Sequence, residues 1–234
     1  MFKYISAIIL MSITSYAFSA GFGINATRII YNENDKTKTV GIRNTTKDIA
    51  YLVQTKVLTP DDKQSPFETI PPIFRLEPGN TNQVKIIKNN NVNLPKNQES
   101  LFYFIGTAIP SGKLGNENNN NTVSGAINIA IANKIKLFYR PSNLASTPEE
   151  AQKGLTFKST SKGIEMINNS PYYVSISSLN IAGKKVKISV EEGNSMIAPY
   201  SQQTYNVKAS TGKVYWIAIN DIGGENVYSS SIQK

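Results

Sequence analysis

The sequence contains neither cysteine nor histidine among its 234 residues. The chain therefore has no thiolate nucleophile, no Ser-His-Asp or Cys-His arrangement and no His/Cys zinc site. Catalysis by paired carboxylates stays open in principle, but the 16 acidic residues are scattered and form no close pair on an apolar background. The composition argues against an enzyme. Without disulfides, stability must come from packing and from sheet hydrogen bonds.

Long apolar runs are missing after the first residues. The N-terminus carries a lysine, an apolar segment at 5–14 and the small-residue stretch AFSA at 17–20. This order is typical of a cleavable secretory signal peptide, and about ten apolar residues are too few for the alternative, a membrane anchor. We therefore predict a signal peptide at 1–20, cleaved after Ser19 or Ala20, and no membrane span.

The formal net charge of +9 raises the question of nucleic-acid binding. The lysines, however, are spread singly through the sequence and form no basic block with stacking aromatic residues. Together with the predicted export, this distribution indicates no nucleic-acid partner. The default interpretation is a soluble basic exported protein. A more specific interpretation is that the positive charge attracts an acidic partner or a carboxylate.

Segments in which apolar and polar residues alternate recur along the chain, separated by turns rich in Asn, Asp, Pro and Gly. Such segments lie at 22–31, 38–44, 50–59, 82–88, 99–109 and 126–141, and then at 155–160, 163–169, 172–183, 184–190, 202–209, 214–220 and 226–232. No long stretch has helical periodicity. A short helix is predicted within 147–155, with Pro148 in its first turn and Gly154 at its end.

The proline-containing stretch RPSNLASTP at 140–148 divides the two series of strands. Two sets of six or seven strands favour two immunoglobulin-like β-sandwich domains over the alternative of one large barrel. We predict an all-β protein with an N-terminal domain at 21–140, a linker at 141–149 and a C-terminal domain at 150–234. The Asn-rich segment at 115–121 is predicted to be a mobile loop.

The segment AINIAIANKIKLFYRP at 126–141 is about twice as long as a usual strand. Ile127, Ile129 and Ile131 would extend the apolar face of its second half. One interpretation is simply a long core strand. The other is an exposed strand edge with an apolar row, which is an aggregation hazard unless a partner protein adds it to its own sheet.

Several sequence blocks resemble the periplasmic chaperones of the chaperone–usher pathway of pilus assembly. The blocks are IPPIFRLEPG (70–79), ESLFYF (99–104) followed by AIP (108–110), KIKLFYRP (134–141), NNSPYYVSI (168–176) and INDIGG (219–224). The resemblance implies an L-shaped pair of immunoglobulin-like domains with a subunit cleft at their junction. It also implies a periplasmic location, no cofactor, and pilus subunits and an outer-membrane usher as partners.

The resemblance assigns roles to particular residues. Ile127, Ile129 and Ile131 would fill the groove of a pilus subunit whose own fold lacks one strand, an exchange called donor-strand complementation. Arg28 and Lys136 would anchor the C-terminal carboxylate of that subunit through charge-assisted hydrogen bonds. The alternative for each cation is an ordinary surface charge.

Three further residues match family positions for a buried ionic network between the domains. They are Glu99, Arg140 and Asp221, and we interpret them as setting the interdomain angle. Lys134 is interpreted as a solvated charge. A donor motif of about three large residues without a cysteine pair favours the short-loop branch of the family, although the loop at 111–125 is longer and richer in Asn than that branch usually has.

Two other classes of exported β protein are alternatives. A structural pilin or adhesin usually has one domain with a donor strand at its N-terminus, whereas the alternating segment here lies in the middle of the chain. A sugar-binding or hydrolytic sandwich would need an exposed aromatic platform or a carboxylate pair, and Trp216 is predicted to lie in the core. The resemblance leaves open whether the free protein forms a self-capping dimer or oligomer.

Overall fold

The computed structural model describes residues 21–111 and 129–233. The predicted signal peptide, the Asn-rich segment at 115–121 and the donor residue Ile127 lie outside the described residues. The first domain contains β1 (Phe22–Ile24), β2 (Arg28–Asn32), β3 (Lys38–Asn44), β4 (Tyr51–Leu58), β5 (Phe67–Ile70), β6 (Ile73–Leu76), β7 (Thr81–Lys88), β8 (Ser100–Pro110) and β9 (Ile131–Arg140). The second contains α1 (Pro148–Lys153), β10 (Thr156–Thr160), β11 (Gly163–Asn168), β12 (Val174–Ile181), β13 (Lys184–Val186), β14 (Met196–Ile197), β15 (Ser201–Tyr205), β16 (Lys213–Ile219) and β17 (Glu225–Gln233).

The first domain is a sandwich of two sheets, with strand orders β1-β3-β7-β5 and β2-β9-β8-β4-β6. In the second domain the order is β13-β12-β16-β17-β10-β11-β15, and β14 pairs with β12. The two sandwiches are arranged as an L, which confirms the predicted all-β, two-domain immunoglobulin-like fold. Within the described ranges, no helix combines the length and the apolar character needed to cross a bilayer.

Alternating side chains build each core. In β4, Tyr51, Val53 and Val57 are buried, while Leu52 and Lys56 between them are exposed. Successive residues of a strand point to opposite faces of the sheet, so this sequence pattern places one face against the core. Burial of each large apolar side chain stabilises the fold by about 1.5–3 kcal/mol.

The chain has two separate hydrophobic clusters. One contains buried residues from Phe22 to Tyr139, and the other contains buried residues from Ala151 to Ile232. Trp216 is 1% exposed in the second cluster, as predicted, and its Nε1 donates a hydrogen bond to the Gln152 carbonyl oxygen at 3.0 Å. Because no buried residue is shared between the clusters, each domain is stabilised by its own core.

The predicted short helix is confirmed in detail. Thr147 caps α1, and Thr147 and Glu150 form a reciprocal capping box. Pro148 occupies the first turn, where its missing N–H costs nothing, and Gly154 is the C-cap residue.

One predicted strand is divided between the two sheets. The segment 22–31 contains β1, which pairs antiparallel with β3, and β2, which pairs parallel with β9. The chain changes sheets between them at 25–27, so an alternating pattern alone did not reveal the crossing. The short strands β5 and β6 were not predicted either.

The long alternating segment is shorter as a strand than we predicted. Strand β9 begins at Ile131, and Ile129 and Ala130 precede it in irregular conformation. The pairing with β8 ends where Ile131 lies opposite Ala108, and beyond that point β8 pairs only with β4. A continuous strand from 126 is therefore wrong at 129–130, because the described structure offers those residues no ladder partner.

Candidate functional site at the domain junction

Arg28 and Lys136 are brought side by side by sheet register. Strands β2 and β9 run parallel, and Arg28 is the Cα partner of Lys136. Their neighbours Ile29 and Leu137 are buried in the first core, so the two cationic side chains leave the opposite face of the sheet. That face is turned toward the second domain.

Atoms of the second domain hold both cations. The Arg28 Nη1 donates to the Ile219 carbonyl oxygen at 2.9 Å, and the Lys136 Nζ donates to the Ser175 Oγ at 3.2 Å. The Arg28 guanidinium also lies over the Phe138 ring, 5.9 Å from its centroid. The cationic site is therefore a composite of the two domains.

The two positive charges lie in a partly desolvated environment. Burial, together with the smaller effect of the neighbouring Arg28 charge, lowers the pKa of Lys136 to about 8. Burial also lowers the pKa of Arg28, against the opposing effect of Asp221 and Glu99. Two partly desolvated cations side by side favour the approach of an anion that can reach both.

Hydrogen-bonding capacity remains at this site. Within the described residues neither Arg28 nor Lys136 forms an ion pair, and the buried Arg28 Nε has no hydrogen-bond partner. An ammonium has three donors, and a guanidinium has five in a planar fork. A carboxylate offers the complementary pair of acceptor oxygens, so it is the ligand that this arrangement suits. No cluster in the described ranges could hold a metal ion.

The three residues predicted for the ionic network are in contact. Arg140 donates through Nε to the Glu99 Oε1 at 2.8 Å, and through Nη1 and Nη2 to the two Asp221 carboxylate oxygens at 2.6 and 2.9 Å. Burial would lower the pKa of Arg140, but the bonds to Asp221 and the charge of Glu99 raise it overall. Arg140 is therefore a permanent cation that joins the two domains.

Glu99 contacts the second domain with its backbone as well as its carboxylate. Its N–H donates to the Pro171 carbonyl oxygen, and its Oε2 accepts from the Tyr173 N–H, both at 2.9 Å. The residue is 2% exposed, and this burial raises the pKa of the carboxyl despite the nearby Arg140. The Glu99 carboxylate thus depends on Arg140 for charge compensation.

The turn between β16 and β17 reaches into the first domain. It carries Asp221, and it approaches so closely that a Cβ on Gly223 would overlap the Thr27 hydroxyl. Gly223 also has a φ of +89°, which residues other than glycine rarely adopt. A glycine is needed here for both reasons.

We expect Gly223→Ala to disturb the domain junction without unfolding either core. The methyl group would push the turn away from Thr27, lengthen the Arg140–Asp221 bonds and cost about 1–3 kcal/mol. Thermal unfolding should show this loss relative to Gly183→Ala, a matched control at another positive φ with open space around its Cβ. Equal effects of the two changes would mean that backbone conformation alone, and not the contact, matters at Gly223.

The edge of β9 is open at its N-terminal end. Residues 131–139 pair with β8, whereas β2 covers the opposite edge only at 136–140. Ile129 is 72% exposed and Ile131 is 41% exposed. The described structure therefore presents a free strand edge at 131–135, with two exposed isoleucines at its beginning.

Lys134 lies on the surface. Its Nζ is 2.9 Å from the Asp62 Oδ1, in a pair whose side chains are 42% and 67% exposed, and it lies over the Tyr103 ring. Their positions along the strand explain why Lys134 is more exposed than Lys136, although both point to the same side of β9. Lys136 faces the domain junction and Lys134 lies beyond it.

Two of the contacts at the site could not be found from the sequence. Ser175 alternates with the apolar residues Val174 and Ile176, which places its side chain opposite the second core but does not show what it faces. The Ile219 carbonyl is a backbone atom and carries no sequence signature.

The described structure thus combines an L of two immunoglobulin-like sandwiches with a cationic junction and an open strand edge. Family comparison identifies the group. Residues 21–145 match the pili and flagellar-assembly chaperone, PapD N-terminal domain, and residues 150–230 match the pili assembly chaperone PapD, C-terminal domain. The chain belongs to this family of pilus assembly chaperones, and it is a chaperone and not an enzyme.

Individual relatives agree with this assignment. The probable fimbrial chaperone protein ElfD of Escherichia coli K12 is 35% identical over 225 residues, which cover 94% of this chain and 91% of ElfD. The E. coli chaperone DraB has a similar structure, with a TM-score of 0.78, 28% identity and coverage of 92% and 97%. The Salmonella enterica SafB chaperone, solved in complex with the SafA pilin, has a TM-score of 0.75, 27% identity and coverage of 90% and 96%.

Proposed function

We propose that this pilus chaperone binds its subunits at the domain junction, where Arg28 and Lys136 together bind the C-terminal carboxylate of a pilin. The observation that carries the proposal is the register of β2 with β9, which places two partly buried cations side by side. The second domain orients both through hydrogen bonds. The SafA–SafB complex supports a pilin as the partner class.

The open edge of β9 supports donor-strand complementation. From the carboxylate site, the bound pilin strand would run along 131–135 and exchange main-chain hydrogen bonds with it, each contributing about 0.5–1.5 kcal/mol net. Ile129 and Ile131 would enter the pilin groove together with Ile127, which lies outside the described residues. Burial of each isoleucine would contribute about 1.5–3 kcal/mol.

The same arrangement supports a role in delivery. The protein would be exported by its signal peptide to the periplasm, bind pilins there and carry them to an outer-membrane usher. At the usher the donor strand would be replaced by the more complementary strand of the next subunit, so no nucleotide is required.

In the free protein, a second copy would cover the open edge in a self-capping dimer or oligomer. The N-terminal domain would span 21–140, the linker 141–149 and the C-terminal domain 150–234, and the protein would belong to the short-loop branch of the family.

The ionic network of Glu99, Arg140 and Asp221 would have a structural role. It ties the end of β9 to the turn that directly follows Ile219, the last residue of β16. Because Arg28 is held by that carbonyl, a change in the interdomain angle would move the anchor. The network would therefore keep the two-domain binding site assembled.

We expect Ile129→Ser with Ile131→Ser to abolish stable pilin retention while leaving the chaperone folded. Both side chains are exposed, so their loss should change the free energy of unfolding by less than about 0.5 kcal/mol. Lost apolar contact should weaken pilin binding by about 3–5 kcal/mol. Co-purification of a co-expressed pilin from the periplasm measures the effect.

Val227→Ser is a matched control for the donor-segment variant. Val227 is 71% exposed, but it lies on β17 of the second domain. It should retain pilin like the wild type. Undiminished retention by the double donor-segment variant would exclude insertion of these isoleucines into the pilin.

A further inference from the structure

Ser175 is a buried polar side chain at the junction. It is 1% exposed on β12, between Val174 and Ile176, which belong to the second core. Its side chain therefore points away from that core, and its Oγ accepts a hydrogen bond from the Lys136 Nζ of the first domain. Lys136 is the described partner of this hydroxyl, so the second domain contacts the lysine through a specific group.

Such a contact matters more for a lysine than for an arginine. The ammonium is at the end of a flexible four-carbon chain, whereas the guanidinium is a planar fork. Fixing one N–H on the Ser175 Oγ restricts the position of Nζ and leaves two donors for a ligand. Arg28 is fixed in the same manner by the Ile219 carbonyl. The two cations are thus oriented before the ligand arrives, which lowers the entropic cost of binding.

We propose that Ser175 is a positioning residue that holds the Lys136 ammonium beside Arg28 for recognition of a C-terminal carboxylate. This inference rests on the proposed function. It assigns part of the specificity for a chain terminus to the second domain, although both anchoring cations belong to the first. Ser175 would act through Lys136, and the carboxylate itself would contact Arg28 and Lys136.

The test compares two forms of one peptide probe. An N-acetylated hexapeptide of alternating Thr and Val is prepared with a free C-terminal carboxylate and with a C-terminal amide. Their Kd values for the mature chaperone are measured by NMR titration. The wild type should bind the acid at least about tenfold more tightly than the amide. Ser175→Ala should reduce this preference about fivefold while leaving the Kd of the amide unchanged.

Two variants serve as controls. Ser175→Thr keeps the hydroxyl on a side chain that strands accommodate well, and it should retain the preference for the acid. Ser177→Ala removes an exposed hydroxyl of the same strand, one that donates to the Glu225 carboxylate, and should behave like the wild type.

The two possible failures are distinguishable. If the wild type binds acid and amide equally, the carboxylate anchor and the role of Ser175 are both excluded. If the wild type prefers the acid and Ser175→Ala keeps that preference in full, the anchor stands and the positioning role is excluded. A loss that is equal for acid and amide would show general damage to the cleft and would also overturn the positioning role.

Discussion

Replacing Arg28 or Lys136 by alanine should abolish pilin retention and leave a folded chaperone. Removal of one cation from a partly buried, hydrogen-bonded charge pair costs about 2–5 kcal/mol in complexes, which corresponds to at least a 30-fold rise in Kd. The whole free-energy cost should appear as weaker pilin binding and not as lower stability, because neither cation forms an ion pair within the described residues. Affinity for a co-expressed and purified pilin is the measurement.

Lys136→Met should separate binding from stability most clearly. Burial lowers the pKa of Lys136 to about 8 from 10.5, so between these values the unfolded chain binds more protons than the folded one. Below pH 8 the folded state is therefore destabilised by the full desolvation cost of the Lys136 charge. Removing the charge should raise the Tm at pH 7 by about 2–4 °C while binding is lost.

Lys134→Ala is the matched control for these anchor variants. Lys134 lies on the same strand and points to the same side, but it forms an exposed pair with Asp62. Such pairs contribute about 0–1 kcal/mol, so pilin binding should change little. If Lys134→Ala lowered the affinity as much as Lys136→Ala, general positive charge would explain binding, and a specific anchor would not.

Arg140→Met should have the largest effect on stability. It leaves Glu99, which is 2% exposed, without its cation, and it also separates Asp221 from the first domain. Breaking a buried ion pair by removing one partner costs about 3–5 kcal/mol. Urea unfolding of the free chaperone should show this loss. Pilin binding should also weaken, because the turn that follows Ile219 is no longer held and the Ile219 carbonyl can move away from Arg28.

The pH dependence identifies the cause of the Arg140→Met effect. Burial already raises the pKa of Glu99 in the folded protein, and loss of Arg140 raises it further. The folded state then binds more protons than the unfolded state above pH 4.5, so its stability falls as the pH rises through this window. The variant should be closest to the wild type at low pH. If the stability lost relative to the wild type did not change with pH, an uncompensated Glu99 charge would not be its cause.

A second substitution tests the same point. Adding Glu99→Gln removes the buried charge but keeps an oxygen that can accept from the Tyr173 N–H. The double variant should recover part of the stability lost in Arg140→Met. No recovery would mean that packing of the Arg140 side chain, which lies over the Tyr172 ring, dominates its contribution.

Much of this structure could be predicted because strand periodicity is a local property. Most of the alternating segments correspond to strands, and Pro148 and Gly154 lie at the predicted start and end of the short helix. The resemblance to pilus chaperones placed Arg28, Lys136, Glu99, Arg140 and Asp221 in one region, and all five lie at the domain junction.

The remaining features depend on contacts between distant segments. The change of sheet between β1 and β2 follows from the packing of the whole domain, and the residues at 25–27 do not encode it alone. The start of β9 at Ile131 depends on where β8 stops pairing with it. Ser175 and Gly223 acquire their roles only when the second domain meets the first, so their neighbours in sequence give no indication of them.

The most direct test of the account is whether the chaperone recognises the chain terminus of its pilin. The Kd of the wild type is measured for the pilin that it retains on co-expression and for the same pilin extended by two glycines, which displace the carboxylate. The extension should weaken binding at least about 30-fold in the wild type and have little further effect in Lys136→Ala. Equal affinity of the wild type for both pilins would contradict the proposed carboxylate anchor.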